Sequence, residues 1–353
     1  MKSVELDKNL NVNLPAPESL RITGLNIAVI GGTGGIGRAF SHQLAAKGAH
    51  VLVVGQTFRD QKVTGIEFMK ADLSSMREAK QIGKELPAET IDIVVFTTGI
   101  MAGPKREVTA EGIERDLAVS YLSRFVILNE IAPRLGKDRA KTDLRPRMFV
   151  VGFPGTEQKA DVDDLNSERR YKRLAAHSNT VAGNEVLVLQ AAQRFPGVDV
   201  FGLNPGFVKT NIRANLLGSS ALVAVMEWLT SFVTVAPEIY AERLVPLLVS
   251  RDLNGRSGAM FNNKAQVILP SPSSKEPSYA TALMSVSARA CRSMSPSRPV
   301  KLMTIGCVRF WSATCFHKRC YSRIVDTTRT GSGSLPTSKE HGRTSHRNEI
   351  AKT

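Results

Sequence analysis

Two stretches of this sequence carry residues that could do chemistry. The first is Gly31-Gly32-Thr33-Gly34-Gly35-Ile36-Gly37, five glycines in seven residues between an apolar run and a helical pattern. Residues 27–30 suit a strand buried on both faces, and residues 38–47 read as a helix stopped by Gly48. Strand, glycine turn and helix together can hold a dinucleotide pyrophosphate. Glycines let the backbone approach the phosphates, and the helix N-terminus offers free N–H groups and the positive end of its dipole. Gly32, Gly34 and Gly37 meet the G-x-G-x-x-G spacing, a weak signal alone that gains weight from the flanking strand and helix. A purely structural tight turn is the plainer alternative. The second stretch is His177 with Ser178, Asn179 and Thr180. An imidazole titrates near neutral pH and suits proton transfer. The three residues beside it could orient a substrate or simply cap a helix.

The elements that must position these residues alternate. Strands are expected at 27–30, 50–54, 65–68, 91–96, 148–151, 198–203 and 258–261. Helices are expected at 38–47, 74–84, 111–135, 181–194 and across most of 219–250. Such alternation gives an α/β fold with a doubly wound parallel sheet of Rossmann type, in one domain. Ligands of that fold sit at the carboxyl ends of the strands. The domain is expected to span 26–270, after a polar N-terminal arm of residues 1–25 and before a basic tail of low order, 271–353.

Charge supports that division. The net charge is +15, but residues 271–353 hold five Lys and nine Arg against one Asp and three Glu, leaving only +5 for the first 270 residues. All four cysteines, Cys291, Cys307, Cys315 and Cys320, also lie in that region. The basicity therefore says little about the domain with the glycine turn. Cys315, His317 and Cys320 lack the spacing of a zinc set, so no metal is expected. Basic residues among Phe310, Trp311, Phe316 and Tyr321 could touch RNA or a membrane surface, yet an extension without a core is the simpler account, and nucleic acid is not an expected partner. No run of about 18 apolar residues suggests a membrane span. The first seven residues lack the apolar core of a secretory signal. The default expectation is a soluble, cytoplasmic protein with a small-molecule substrate.

Taken in order, these features resemble the short-chain dehydrogenase/reductase family over about residues 24–270. The family pattern T-G-x-x-x-G-x-G is met by Gly31, Gly35 and Gly37, with Ile30 in place of Thr. Asp72-Leu73 matches the adenine-contacting pair after the third strand. Asn204-Pro205-Gly206-Phe207-Val208 matches the Pro-Gly segment that lies along the nicotinamide. The spacing around Asp163-Asp164-Leu165-Asn166 resembles the retinol-dehydrogenase-like branch, and the resemblance further implies kinship with divergent fungal members, often of secondary metabolism. The resemblance implies a cofactor site from Gly31, Thr33, Gly35, Ile36, Gly37, Arg59, Asp72, Leu73, Thr98, Gly99, Pro205, Gly206 and Val208. It also implies pairing of the helices 111–135 and 181–194 across a homodimer, with Tyr121, Phe125 and Leu128 serving either the sheet or the partner.

Two features set this chain apart from that pattern. NAD-preferring members place an acid at the end of the second strand. Here Gly55-Gln56-Thr57-Phe58-Arg59 follows Val54, with no acid before Asp60. Arg59 could pair with a 2′-phosphate, which favours NADP, with NAD as the alternative. The family's catalytic positions also differ: by neighbouring residues the Tyr slot falls on His177, the Lys slot on Val181, the Ser slot on Phe153 and the Asn slot on Ser120. His177 and Ser120 are then the candidate catalytic residues. Two readings follow: an oxidoreductase reducing a carbonyl or enone with NADPH and an unusual proton source, or an inactive NADP-binding scaffold or sensor.

Overall fold

A computed structural model describes residues 4–16, 20–140, 142–206, 208 and 235–292. The chain opens the sheet with β1 (Asn26–Ile30), turns into α1 (Gly35–Ala46), and returns through β2 (His50–Gly55) and β3 (Ile66–Lys70). Then come α2 (Met76–Glu85) and β4 (Ile93–Phe96), followed by a broken helix. That helix comprises α3 (Arg115–Leu117), a π-turn (Ala118–Leu122) and α4 (Ser123–Ile131). β5 (Arg147–Val151), α5 (Arg173–Arg194) and β6 (Asp199–Leu203) complete the second half. Past the gap in the described residues lie α6 (Pro237–Leu248), β7 (Met260–Phe261), β8 (Val267–Ile268), the short α7 (Pro272–Lys275) and α8 (Pro277–Arg292).

The sheet order is β3-β2-β1-β4-β5-β6-β7-β8, and every neighbouring pair is parallel except the last. Strand order therefore reverses between β1 and β4, whose register runs Ile27↔Ile93 to Ile30↔Phe96. A crevice opens at such a reversal because the connections leave the two strand ends on opposite faces. β4 and β5 are buried along their whole length, as strands covered by helices on both faces must be. Alternate β1 residues feed the two core layers: Ala28 and Ile30 pack with α2, α4 and α5, while Ile27 and Val29 pack with Phe40, Leu44 and the apolar face of α6.

The doubly wound parallel sheet expected from the sequence is the fold observed. Its details differ in three places. The helix expected over 111–135 begins at Arg115 and is interrupted by the π-turn, where one extra residue is accommodated and a carbonyl is released from the ladder. α5 begins at Arg173, eight residues before the expected start, so His177 lies within the helix and does not precede it. β8 is an added antiparallel edge, to which Leu6 of the N-terminal arm makes a bridge at Ile268. Of the helix expected across 219–250, residues 219–234 lie outside the described residues and the rest forms α6.

Order does not end at Pro270. Ser271 donates its backbone N–H and its hydroxyl to the buried Glu185 on α5, which also accepts from the Gly155 N–H. α8 then lies along α5 with Ala280, Leu283 and Ser287 buried at helical spacing. Ser287 Oγ meets Tyr121 Oη at 2.8 Å. Residues 271–292 thus belong to the domain, because Glu185 and Tyr121 need them to satisfy buried polar atoms. Tyr121 and Leu128 are wholly buried and Phe125 nearly so, and all three are used inside the chain. The expected basic tail from 293 onward, with Cys307, Cys315, His317 and Cys320, lies outside the described residues.

Candidate active site

The glycine turn stands at the β1/β4 reversal. Gly31 has φ +91°, and a Cβ there would lie 2.6 Å from the Thr98 nitrogen, so β1 and β4 close on each other only through glycine. Gly37 enters α1 pressed on the turn: a Cβ would sit 2.3 Å from the Gly31 carbonyl oxygen and 2.4 Å from Thr97 Oγ1. Gly34 is the opposite case. It is the N-cap of α1, exposed and extended at φ −161°, and a Cβ there would meet nothing within 4 Å. Gly34 brings no side-chain cap to α1, and no acid stands in the helix's first turn. Among the described residues, the orphan N–H groups of this twelve-residue helix are left without a side-chain cap at the carboxyl end of the sheet. That uncapped cradle fits a cofactor pyrophosphate. Thr33 fills the space over Gly55 at the end of β2, and Ile36 packs partly into the core.

Beyond β2, Gln56 and Thr57 are exposed, Phe58 stacks on Phe68 at 4.7 Å, and Arg59 is exposed. The first acid, Asp60, is committed elsewhere. Its carboxylate accepts from Arg38 Nε at 2.9 Å and Arg38 Nη2 at 2.6 Å, and His42 Nε2 lies 3.1 Å away. The Arg38 hydrogen bonds hold the Asp60 carboxyl below its usual range. After β3, Asp72 Oδ1 accepts from the N–H and hydroxyl of Ser74, which shapes the turn into α2. Leu73 is buried in the core.

The other wall is built by the broken helix and α5. Thr98 follows β4, buried, with Gly99 beside it. A Cβ on Gly99 would come within 3.7 Å of Arg124 Nη2 and 3.9 Å of Ser120 Oγ, so these three meet at the strand end. Arg124 is fully buried and paired mainly with carbonyls. Nη1 donates to the Val151 carbonyl at 2.6 Å and to Asn184 Oδ1 at 3.1 Å; Nε reaches Thr98 Oγ1 at 3.2 Å, and Nη2 the Thr98 carbonyl. Burial pushes the guanidinium down to about 9, with Asp116 opposing, so it stays cationic at neutral pH. Asn184 Nδ2 donates to the Ser120 carbonyl at 2.8 Å, inside the π-turn.

His177 is joined to this wall. Its Nδ1 lies 2.8 Å from Asp116 Oδ2. Asp116 is fully buried, while the His177 side chain is 22% exposed. The Ser120 hydroxyl donates to Asp116 Oδ1 at 2.5 Å and accepts from the Ile100 N–H at 3.0 Å, and the Ala102 N–H donates to Asp116 Oδ2 at 3.2 Å. The two candidate catalytic residues, Ser120 and His177, thus share one carboxylate. Sequence spacing did not single out Asp116 or Arg124. Asp116 stands four residues before Ser120 on one helix face, and Arg124 puts a charge into an apolar stripe; both signals were legible.

The neighbours of His177 are structural. Thr180 Oγ1 donates to the His177 carbonyl and Ser178 Oγ to that of Leu174. Asn179 is buried and ties the 161–165 loop through the Asp161 N–H and the Leu165 carbonyl. Tyr171 Oη donates to the Gly103 carbonyl at 2.6 Å. Val181 is buried, and Phe153 sits at φ +59° after β5. Pro205 is buried, Gly206 turns at φ +61° with its N–H on Asn204 Oδ1, and Val208 is buried and bridged to Val235.

The short chain dehydrogenase family profile matches residues 25–142. An uncharacterized oxidoreductase of Saccharomyces cerevisiae is 51% identical over 252 residues, covering 70% of this chain and 82% of the relative. Human retinol dehydrogenase 13 is 25% identical over 304 residues, covering 80% of this chain and 88% of the relative. Among solved structures, an uncharacterized protein from Mycobacterium Paratuberculosis superposes with a TM-score of 0.60 at 18% identity, over 79% of this chain and 98% of that one, a likeness of fold alone.

Proposed function

The chain belongs to the short-chain dehydrogenase/reductase family of NAD(P)-dependent oxidoreductases, and from that premise we propose that it reduces a small organic carbonyl or enone with NADPH. The observation that carries the reading is the uncapped N-terminus of α1 at the β1/β4 reversal, facing a wall that holds a partly exposed imidazole. The turn from Gly31 through Thr33, Gly35 and Ile36 to Gly37 would hold the pyrophosphate. Asp72, with Leu73 beneath it, would border the adenine, and Thr98, Gly99, Pro205, Gly206 and Val208 the nicotinamide half.

NADPH is favoured over NADH by what surrounds the end of β2. The first acid after β2, Asp60, is already engaged by Arg38 and His42, which leaves it a poor acceptor for a ribose hydroxyl. Arg59 is exposed beside it and can pair with a 2′-phosphate.

A reduced nicotinamide held in this cradle would supply a hydride for the substrate carbon. The chain's own part is to fix the geometry and deliver the proton. His177 is the candidate donor, since it is the one titratable side chain in the family's Tyr slot. Arg124 fixes the ends of β4 and β5 through the Thr98 and Val151 carbonyls.

The second reading, a nucleotide-binding scaffold without turnover, is favoured by Val181, an apolar residue buried where the family's pattern places a Lys. Two measurements separate them. NADPH fluorescence should titrate on binding, more weakly in Arg59→Ala, and NADPH should be oxidised with some member of a panel of ketones, enones and aldehydes. Binding without oxidation across the panel supports the scaffold. If turnover is found, His177→Ala should lower kcat by about 10²–10⁴ with NADPH affinity nearly unchanged. A variant as fast as wild type would remove His177 from the chemistry.

A further inference from the structure

We propose that Asp116 is the positioning residue for His177, holding the ring with its Nδ1 proton toward the buried carboxylate and Nε2 left as the only nitrogen able to exchange a proton with substrate. The inference rests on His177 as the donor and adds the group that makes one imidazole competent without the family's Tyr and Lys.

The geometry is specific. A fully buried carboxylate is costly unless its lone pairs are satisfied. Asp116 Oδ1 takes the Ser120 hydroxyl, and Oδ2 takes the Ala102 N–H and His177 Nδ1. These bonds from the π-turn and from the loop after β4 fix the carboxylate before the ring is considered. Among the described residues, Glu114, Arg124 and Tyr171 also feel its charge. Glu114 is turned away, its oxygens capping the N–H groups of Asp116 and Leu117. Arg124 is spent on the Thr98 and Val151 carbonyls, and the Tyr171 hydroxyl on Gly103. His177 is thus the titratable side chain that completes the Asp116 shell, and among the described residues no hydrogen bond engages its Nε2.

A carboxylate accepts but cannot donate, so the neutral ring is held in the Nδ1–H tautomer. The proton balance follows. Hydride adds to the substrate carbonyl carbon, and the π electrons pass to oxygen. That oxygen takes the proton from Nε2 of the imidazolium. The ring is left neutral with its remaining proton on Nδ1, the tautomer Asp116 accepts, and a solvent proton restores Nε2.

The test reads the tautomer directly in the full chain labelled with 15N-histidine, with the His177 signals assigned by their loss in His177→Ala. In wild type without cofactor, the ring shifts of neutral His177 should report the proton on Nδ1. Asp116→Asn keeps the size of the side chain but can offer an N–H, and should move those shifts toward the Nε2–H tautomer. In the same variant kcat should fall by about 10²–10⁴, with KM for NADPH changed little. A wild-type ring protonated on Nε2 overturns the assignment, and that reading needs no variant to fold. A folded Asp116→Asn protein with wild-type kcat overturns it as well, while leaving His177 as donor. A His177→Ala protein at wild-type rate sinks the donor reading itself, whatever the tautomer.

Discussion

Two glycines of one turn do different work. A side chain at Gly37 collides with the Gly31 backbone, so Gly37→Ala disturbs the turn itself and should cost about 1–3 kcal/mol of stability as well as NADPH binding. Gly34 has open space and an extended φ that any residue adopts. It is therefore the cleaner probe. Gly34→Asp puts a carboxylate at an uncapped helix N-terminus, where it should hold or slightly raise stability. The same charge would meet the pyrophosphate. Thermal melting should show Tm unchanged or higher, while fluorescence titration shows NADPH affinity reduced about tenfold or more, or about 1.4 kcal/mol. Unchanged affinity in that variant would move the phosphates away from α1.

At the level of elements, Asp60 clamps the loop after β2 to α1 through Arg38 and His42. Because Arg38 holds the folded carboxyl below its ordinary value, the contribution is present above that value and is lost as pH falls through the depressed one. Asp60→Asn should therefore melt below wild type at neutral pH, with the gap closing in strongly acidic solution. A gap that is constant with pH would assign the loss to packing. The clamp also explains why this helix tolerates an arginine near its positive end: the dipole penalty is offset by the bidentate pair.

At the scale of the molecule, α8 decides what the α4–α5 layer can do. Tyr121, Phe125 and Leu128 are committed to their own chain, Tyr121 through Ser287, so pairing of two copies would have to use other residues. A chain ended after Pro270 would uncover this layer and leave Glu185 without its Ser271 donors. Loss of Leu283 alone removes about 1.5–3 kcal/mol of apolar burial. The shortened chain should melt well below one ended after Arg292, and equal Tm values would show that α8 contributes nothing. No helix among the described residues is long and apolar enough to cross a membrane.

Local pattern was enough to read the β1–turn–α1 unit and the alternation of strands and helices. Each rests on residues close in the chain: a short apolar run, glycines at positive φ, a stop at Gly48. The end of the domain was not legible, because the buried face of residues 277–292 is built mostly of small side chains, Ala280 and Ser287 beside Leu283, and gains meaning only against Tyr121 and α5. The partner of His177 was hidden for a similar reason. Asp116 lies 61 residues away in sequence, and the two meet only because β4, β5 and their crossovers lay α3 beside α5. Periodicity tells which face of an element is buried. Which side chains meet across two elements is set by the sheet order that brings them together.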